Sequence, residues 1–370
     1  MKYKLASFLY KTIARPIFFL FNPEKVHNFV TSIGEILGNE QSLNRLFSKK
    51  FGAKSNFLKQ KIAGIEFTSP IGLAAGFDYE AKVIKILPSL GFGFNSIGTI
   101  TNYSYGGNPN GMLGRLPKSK SLMINKGFKN KGALWTAEKI SNVKPLIPLG
   151  VSIGKSNTRQ VNTQEDAILD IIQAFKIFEN SNVENSYYEL NISCPNLFGN
   201  VSFYPPKKLN ELLSETDKLN LKKPIFIKMP IELSNAQTLK ILDVIVRHKI
   251  TGVIIGNLQK NRNDKAFVKD ELKHWKVGNF SGLPTQKRSN ELISLAYKKF
   301  GNKLVIIGCG GVFSAEDAYK KIKLGASLVQ LITGLIYEGP TLVAQINSEL
   351  PKLLKRDGFK NITEAVGSEN

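Results

Sequence analysis

From residue 65 onward, short apolar runs alternate with stretches of helical period, and nothing else in the chain narrows its fold as much. The runs are Ile71–Ala75, Phe94–Gly98, Pro148–Ile153, Tyr187–Ile192, Ile225–Met229, Gly252–Gly256, Leu304–Ile307 and Leu328–Ile332, eight in all. Glu165–Phe178, Ala236–Arg247, Asn290–Phe300 and Ala315–Lys323 are among the helical stretches between them. Near-continuous apolar strands joined by crossover helices are parallel strands buried on both faces. Eight such units without a duplicated half point to a closed (β/α)8 TIM barrel rather than an open doubly wound sheet. At 370 residues the chain can be a barrel plus an appendage. The division expected is a helical segment at 1–50 and a barrel at 51–370.

A barrel of this kind places its chemistry at the C-terminal ends of the strands. Those ends read Ala74-Ala75-Gly76, Gly98-Thr99, Ser152 to Lys155, Asn191 to Asn196, Lys228, Gly256-Asn257, Gly308 to Gly311 and Ile332-Thr333-Gly334. They are rich in glycine and amides and lack histidine, with Asp78 the nearest carboxylate. Glycine amides after the seventh strand, a helix starting near Ser314 and Thr333 after the eighth are where barrels commonly hold a phosphate. Lys228 ends an apolar run, so its ammonium needs either a ligand or an ion-pair partner inside the barrel. One use for it is to stabilise the anionic reduced ring of a flavin.

Cys194 follows the fourth strand between Asn191 and Asn196. A thiol on an irregular loop at that face can act as a base if a dipole or cation favours the thiolate. The two asparagines suit a ring with alternating C=O and N–H groups. Cys309 reads instead as a buried small hydrophobe. Long connections at Leu197–Pro206 and Leu258–Leu283 are placed to close over this face.

Residues 1–22 carry Leu5, Phe8, Leu9, Ile13, Ile17 and Leu20 at three- and four-residue steps, with Lys2, Lys4, Lys11 and Arg15 between them. That is an amphipathic helix, expected to end or kink at Pro16. Residues 23–50 repeat the pattern with Val26, Phe29, Val30, Ile33, Ile36 and Leu37. Such helices either lie on a membrane surface or pack on the barrel. Ile17–Phe21 is far short of a span, and no secretory signal is expected. The net charge of +22 allows attraction to anionic lipid or phosphate, but the lysines are spread along the chain as on a solvated surface, and no nucleic-acid partner is expected. Two cysteines and three scattered histidines exclude a disulfide framework and a metal cluster, leaving a reducing cytoplasmic setting as the default.

The stretches IGLAAGFD (71–78), LGFGFNSIGTIT (90–101), NISCPN (191–196) and GCGGVFSAEDAYKKIKLGASLVQLITGLIYEGP (308–340), with Lys228, resemble the dihydroorotate dehydrogenases. These are FMN-containing barrels of pyrimidine biosynthesis, and the resemblance runs over residues 60–350. The first 50 residues look like those of the membrane-associated, quinone-reducing branch (class 2), which places a quinone tunnel between such helices and the barrel. The resemblance implies FMN contacts at Ala74, Ala75, Gly76, Thr99, Lys228, Ser281, Gly282, Gly310, Gly311 and Thr333, with Ser152, Asn191, Gly256 and Ile332 beside them. It implies contacts to dihydroorotate or orotate at Asn125, Asn191, Asn196 and Asn257. Cys194 falls on the base position, taking a proton from C5 while hydride leaves C6 for flavin N5, and a quinone then accepts the electrons. The location implied is peripheral, on the cytoplasmic face of the cell membrane through residues 1–22; oligomeric state stays open.

Several positions depart from the family pattern. The membrane branch usually has serine as base, whereas cysteine belongs to the soluble branch (class 1). Tyr79 stands where a lysine beside flavin and substrate is expected, Ser152 replaces an asparagine, Leu258 replaces a hydroxyl residue, and the loop Ile124–Phe128 is one residue short. The substrate carboxylate thus lacks a familiar cation, for which Lys126, Lys129 and Lys155 are candidates. Two further readings remain open: a soluble-type enzyme using fumarate or another acceptor, and a non-redox barrel that keeps a phosphate site.

Overall fold

The computed structural model describes residues 2–53, 55–109, 111–194, 196–197 and 201–370. Eight parallel strands close into a barrel: Ile71–Leu73, Phe94–Ile100, Leu149–Ile153, Tyr187–Asn191, Ile225–Met229, Gly252–Ile255, Val305–Cys309 and Leu328–Leu331. Each pairs with its successor, and the eighth closes on the first through Val329–Ile71 and Leu331–Leu73. All eight expected strands are present, with ends shifted by a few residues. The four expected helices run Gln164–Glu179, Asn235–Ile245, Gln286–Phe300 and Ala315–Lys323. Their starts are written in the sequence. Thr163 and Ser234 form capping boxes with Asp166 and Gln237, and Ser314 accepts from the Asp317 amide.

A hairpin, Gln60–Ile62 with Ile65–Phe67, packs at the N-terminal mouth of the barrel. Phe67, Phe94, Tyr187 and Phe226 fill that end, with edge-to-face contacts of 5.5 Å (Phe67–Phe94) and 5.6 Å (Tyr187–Phe226). Above this plug lies a polar layer that apolar patterning does not disclose. The fully buried Glu189 accepts hydrogen bonds from Ser96 and from Gln330 Nε2, the latter at 2.6 Å. Both donors, from the second and eighth strands, reach the same oxygen, Oε1, while among the described residues Oε2 is buried without a hydrogen-bond partner.

The opposite mouth is extended by an antiparallel sheet of Leu113–Leu116, Ser121–Ile124 and Asn279–Gly282, which had no counterpart in the strand count above. Two hydrophobic blocks far apart in sequence make it, so no local hairpin signal announces the third strand. The connection Leu258–Leu283 is therefore largely fixed. Glu271 accepts the Lys118 and Ser119 amides at 2.8 Å each, and Phe267 packs edge-on to Phe280 at 5.0 Å.

Ahead of the barrel, helical segments run Lys2–Leu9, Tyr10–Ala14, Arg15–Leu20, Pro23–Asn39 and Gln41–Phe51. Pro16 does not end the first of these. The turn Tyr10–Ala14 is a π-helix in which the Arg15 amide reaches back to Tyr10, so the chain enters Pro16 as the first turn of the next segment. Asn22 caps the following helix, accepting from the Glu24 amide at 2.9 Å. The segments hold the barrel along one side: Tyr10 Oη donates to the Ile336 carbonyl at 2.7 Å and Arg15 to the Tyr337 carbonyl at 2.9 Å. Arg115 donates to the Phe21 carbonyl at 2.8 Å and lies 4.6 Å from the Phe19 ring centroid. Packing on the barrel and an outward apolar face occur together, since Leu5, Phe8, Ile13, Leu20, Phe21, Phe29 and Ile36 remain exposed. Among the described residues, no helix is long and apolar enough to cross a membrane.

Phe94 is fully buried, and removing its ring opens a void among neighbours fixed by barrel closure. Phe94→Ala is expected to cost about 3–5 kcal/mol, read as a lower urea midpoint at unchanged slope.

Candidate active site

The strand ends converge on one cavity at the C-terminal mouth. Its floor and sides take Ala74, Ala75 and Gly76 from the first strand's end, Thr99 from the second and Asn191 from the fourth. Lys228, Gly256-Asn257, Gly310-Gly311 and Ile332-Thr333 come from the fifth to eighth, and Ser281-Gly282 from the added sheet. Cys194 and Asn196 face the same space. Ser152 stands behind the wall, fully buried, sharing a 3.0 Å hydrogen bond with Thr99. Asn125 also stands off the cavity: its amide is directed to the Pro109 and Gly111 carbonyls, and Asn108 bridges it to the Asn196 backbone.

One end of the cavity suits a phosphate. Gly311 has φ +68°, and a Cβ there would meet Gln286 Cβ at 2.3 Å; Gly282 has φ +87°, and a Cβ would meet the Lys120 carbonyl oxygen at 2.3 Å. Only glycine satisfies both conditions, which leaves bare backbone facing the ligand space. Thr333 and Ser281 share a 2.8 Å hydroxyl hydrogen bond beside it. The other end suits a flat ring with polar edges. Asn191 Nδ2 donates to Thr99 at 2.8 Å, and Lys228 is 4% exposed with Nζ 3.8 Å from Cys309 Sγ. Among the described residues Lys228 has no ion pair, so the salt-bridge alternative does not apply and a buried ammonium faces the cavity with only a weak acceptor. Cys309 is accordingly not a fully buried hydrophobe: it is partly exposed and lines the cavity beside that ammonium. A phosphate cradle, an amide-and-hydroxyl edge and an unmatched cation fit a flavin mononucleotide.

Above this floor the amides are held in place before any ligand arrives. Asn257 donates to the Ser193 carbonyl at 2.8 Å, Asn196 donates to the Ile124 carbonyl at 3.0 Å, and Asn279 donates to Asn196 Oδ1 at 2.8 Å. Protein packed around Cys194 pushes its thiol up to about 12, against smaller opposing effects of the Asn196 backbone and Lys260. The dipole and cation sought for this thiol are present but do not prevail over burial. Cys194 also borders a second cavity with Lys155, Tyr204 and Lys260, where Glu232 ties the last two together. Of the connection Leu197–Pro206, Val201–Tyr204 line that second cavity; Pro195 and residues 198–200 lie outside the described residues.

The remaining wall comes from the helix Pro23–Asn39. His27 reaches the cavity, stacked 5.2 Å from Tyr79 and edge-on to Phe77 at 5.0 Å. Burial first, then Lys126, Lys129 and Lys82, push its imidazole down to about 2, so it is neutral at any working pH. Tyr79 donates to Glu24 and Asn28 at 3.3 Å, and Lys129 bonds Glu24 at 2.8 Å. These contacts were not read from the sequence; Asn22-Pro23-Glu24 announced a helix start but not what its first turn touches. The charged groups lining the cavity are Lys126, Lys129 and Lys228, with no carboxylate among the described lining residues, so the space favours an anion.

A family model described as "Dihydroorotate dehydrogenase" matches residues 57–354. A Trichodesmium erythraeum protein named dihydroorotate dehydrogenase (quinone) is 36% identical, the match covering 98% of this chain and 99% of that one. A Christiangramia forsetii protein of the same name is also 36% identical, over 92% and 98% of the two chains. The crystal structure of ligand-free DHODH from Eimeria tenella superposes with TM-score 0.80 at 25% identity, covering 94% of this chain and 99% of that one. The Eimeria enzyme in complex with ferulenol gives TM-score 0.77 at 27% identity, over 94% and 96%. With a closed barrel, this cavity and near-full-length relatives of that name, the chain belongs to the dihydroorotate dehydrogenase family of oxidoreductases, on its quinone-dependent (class 2) branch.

Proposed function

We propose that this protein oxidises (S)-dihydroorotate to orotate in pyrimidine biosynthesis, with FMN as cofactor and a membrane quinone as final acceptor. The observation that carries the reading is the convergence of Cys194, Asn191, Asn196, Asn257 and Lys228 on one cavity that also touches His27 of the N-terminal helices. FMN would be held by Gly310, Gly311, Ser281, Gly282 and Thr333 at its phosphate and by Ala74, Ala75, Gly76, Thr99, Asn191, Gly256, Ile332 and Lys228 along the ring, with Ser152 behind Thr99. Bound there, it supplies the two-electron acceptor for the hydride leaving C6.

The chain's own groups do the rest. Asn191, Asn196 and Asn257 orient the substrate ring through its alternating donors and acceptors, and Asn125 supports that set through Asn108. Cys194 removes the C5 proton. Lys228 offers a fixed positive charge where negative charge builds on the ring beside it. The walls exclude water from this exchange, which strengthens each of those electrostatic contacts. The helices of residues 1–22 would lay their outward Leu5, Phe8, Ile13 and Leu20 on the cytoplasmic face of the membrane, where a quinone is within reach of the His27 side of the cavity.

Purified protein should be yellow, release FMN on denaturation, and reduce a ubiquinone or menaquinone analogue with dihydroorotate faster than it reduces fumarate. Preference for fumarate would favour the soluble-type reading, and colourless protein would favour a non-redox barrel.

Because the Cys194 thiol lies near 12, its thiolate fraction grows about tenfold per pH unit below that value. The kcat–pH profile of the parent should therefore climb from pH 7 to beyond 9. Cys194→Ala should keep bound flavin and lose nearly all turnover, while Cys194→Ser should retain a lower rate displaced to higher pH. A flat profile in the parent, or full turnover in Cys194→Ala, would remove the base from this position.

Membrane attachment has its own test. Phe8→Asp combined with Leu20→Asp places charge on the exposed face without touching the barrel contacts of Tyr10 and Arg15. Sedimentation with anionic phospholipid vesicles should fall at least tenfold, with reduction of a water-soluble quinone analogue retained.

A further inference from the structure

The cations around the cavity differ in how well they are already matched. Lys129 is hydrogen-bonded to Glu24 at 2.8 Å. Lys155 donates to the Ser156 and Val161 carbonyls and borders only the second cavity. Lys260 is ion-paired with Glu232 there. Lys228 sits on the floor at a strand end beside Cys309. Lys126 is different. Its side chain is 12% exposed and lines the main cavity, yet its ion pair with Glu24 Oε2 is a loose one at 3.6 Å, longer than a good hydrogen bond and longer than the 2.8 Å contact Lys129 makes with the same carboxylate. That oxygen is itself buried without a hydrogen-bond partner. The ammonium otherwise lies 4.2 Å from the Tyr79 ring centroid, a contact that attracts a cation but fills none of its three donor positions.

The charge count around this point is unbalanced. Glu24 supplies one carboxylate to two ammoniums, Lys126 and Lys129, and His27 beside them is neutral. Tyr79, in the loop that follows the first barrel strand, adds no charge, its phenol being held in the protonated form. Glu80, a further carboxylate acting on both lysines, is itself ion-paired with Lys82 at 2.8 Å, so among the described residues Glu24 is the carboxylate that Lys126 and Lys129 share. Burial also pushes the Lys126 ammonium down to about 8, the cost of holding a cation there without a full partner. An arriving carboxylate would remove that cost.

We infer that Lys126 is the residue that holds the substrate's carboxylate, supplying from the loop after Ile124 the cation that position 79 lacks. Glu24 and the Tyr79 ring fix the ammonium at the cavity wall, 3.6 Å from the carboxylate oxygen and 4.2 Å from the ring centroid. Lys126 is thus a specificity-determining contact: it separates a ring bearing a carboxylate from the same ring without one. This assignment rests on the dihydroorotate reading above.

The test is titration calorimetry of the flavin-loaded protein with orotate and, separately, with uracil, which is the same ring without the carboxylate. Lys126→Met should weaken orotate at least 30-fold and leave uracil within twofold of the parent, so that discrimination between the two ligands collapses. Lys126→Arg, which restores a cation of similar reach, should recover most of the orotate affinity. Lys126→Gln is run alongside with the same expectation as Lys126→Met, so that failure of one variant to fold does not remove the comparison; bound flavin and unchanged uracil affinity report that the site is intact. Orotate binding within threefold of the parent in Lys126→Met or Lys126→Gln overturns the assignment to Lys126 alone. A parent protein that binds flavin but ignores orotate overturns the substrate reading, and this assignment with it.

Discussion

Closure of the barrel governs everything placed around it. Eight parallel strands with no free edge satisfy their backbone groups on one another, and both faces of each strand are covered. Side chains that must meet a ligand then have only the strand ends available. One end is sealed by Phe67, Phe94, Tyr187 and Phe226, so polar function collects at the other. The exception, Glu189, is tied through Oε1 to Ser96 and Gln330 inside the barrel, away from the cavity. Thr99, Asn191, Lys228, Gly256 and Thr333 belong to different strands, yet the ladder registers bring them to one rim.

The rim alone does not finish the cavity. Its outer wall is the first turn of the helix Pro23–Asn39, which delivers His27 and Glu24 to Tyr79, Lys126 and Lys129. The contact is electrostatic as well as steric, because Glu24 is the carboxylate that lets two half-buried lysines share one corner. The first turn of that helix is also well placed to carry an acid, being the positive end of the helix dipole. A segment that reads as a membrane-surface appendage therefore also shapes the lysine-bearing wall of the cavity. Displacing it would expose the cavity to water and leave two ammoniums without their counterion.

The barrel was legible because its signal is periodic and local: apolar strand, cap, helix, repeated, with Thr163, Ser234 and Ser314 marking helix starts. The strand-end rule then led to Lys228, Asn191, Cys194, Gly311 and Thr333, all of which line the cavity. Features that depend on long-range pairing were not legible. The sheet joining Leu113–Leu116 and Ser121–Ile124 to Asn279–Gly282 spans more than half the barrel in sequence. Glu189 sits at an inward strand position where the surrounding run looks uniformly apolar. Pro16 was expected to interrupt a helix, but the π turn before it absorbs the missing donor. The neutrality of His27 follows from burial among lysines that lie about 100 residues downstream, and no local pattern could announce that.

The sequence pairs a cysteine of one branch with N-terminal helices of the other, and the geometry explains why the two need not conflict. Cys194 lies on the loop after the fourth strand, on the wall shared with the second cavity, whereas the N-terminal helices meet the main cavity through His27 beside Phe77 and Tyr79. The base proposed at Cys194 and the acceptor side proposed at His27 are built from separate elements, and among the described residues no hydrogen bond or ion pair joins Cys194 to the helix Pro23–Asn39. On the proposed mechanism, a change of residue at position 194 alters the proton-transfer step and its pH dependence without disturbing the wall that the helices supply. What a cysteine must still overcome is burial, because the same packing that excludes water from the substrate holds the thiol protonated. Lys260, the cation that lowers it, stands in the second cavity and is ion-paired to Glu232, which limits how far it can favour the thiolate. The surroundings that hold the Cys194 thiol therefore lie on the side of the site away from the helices, apart from the wall that His27 supplies.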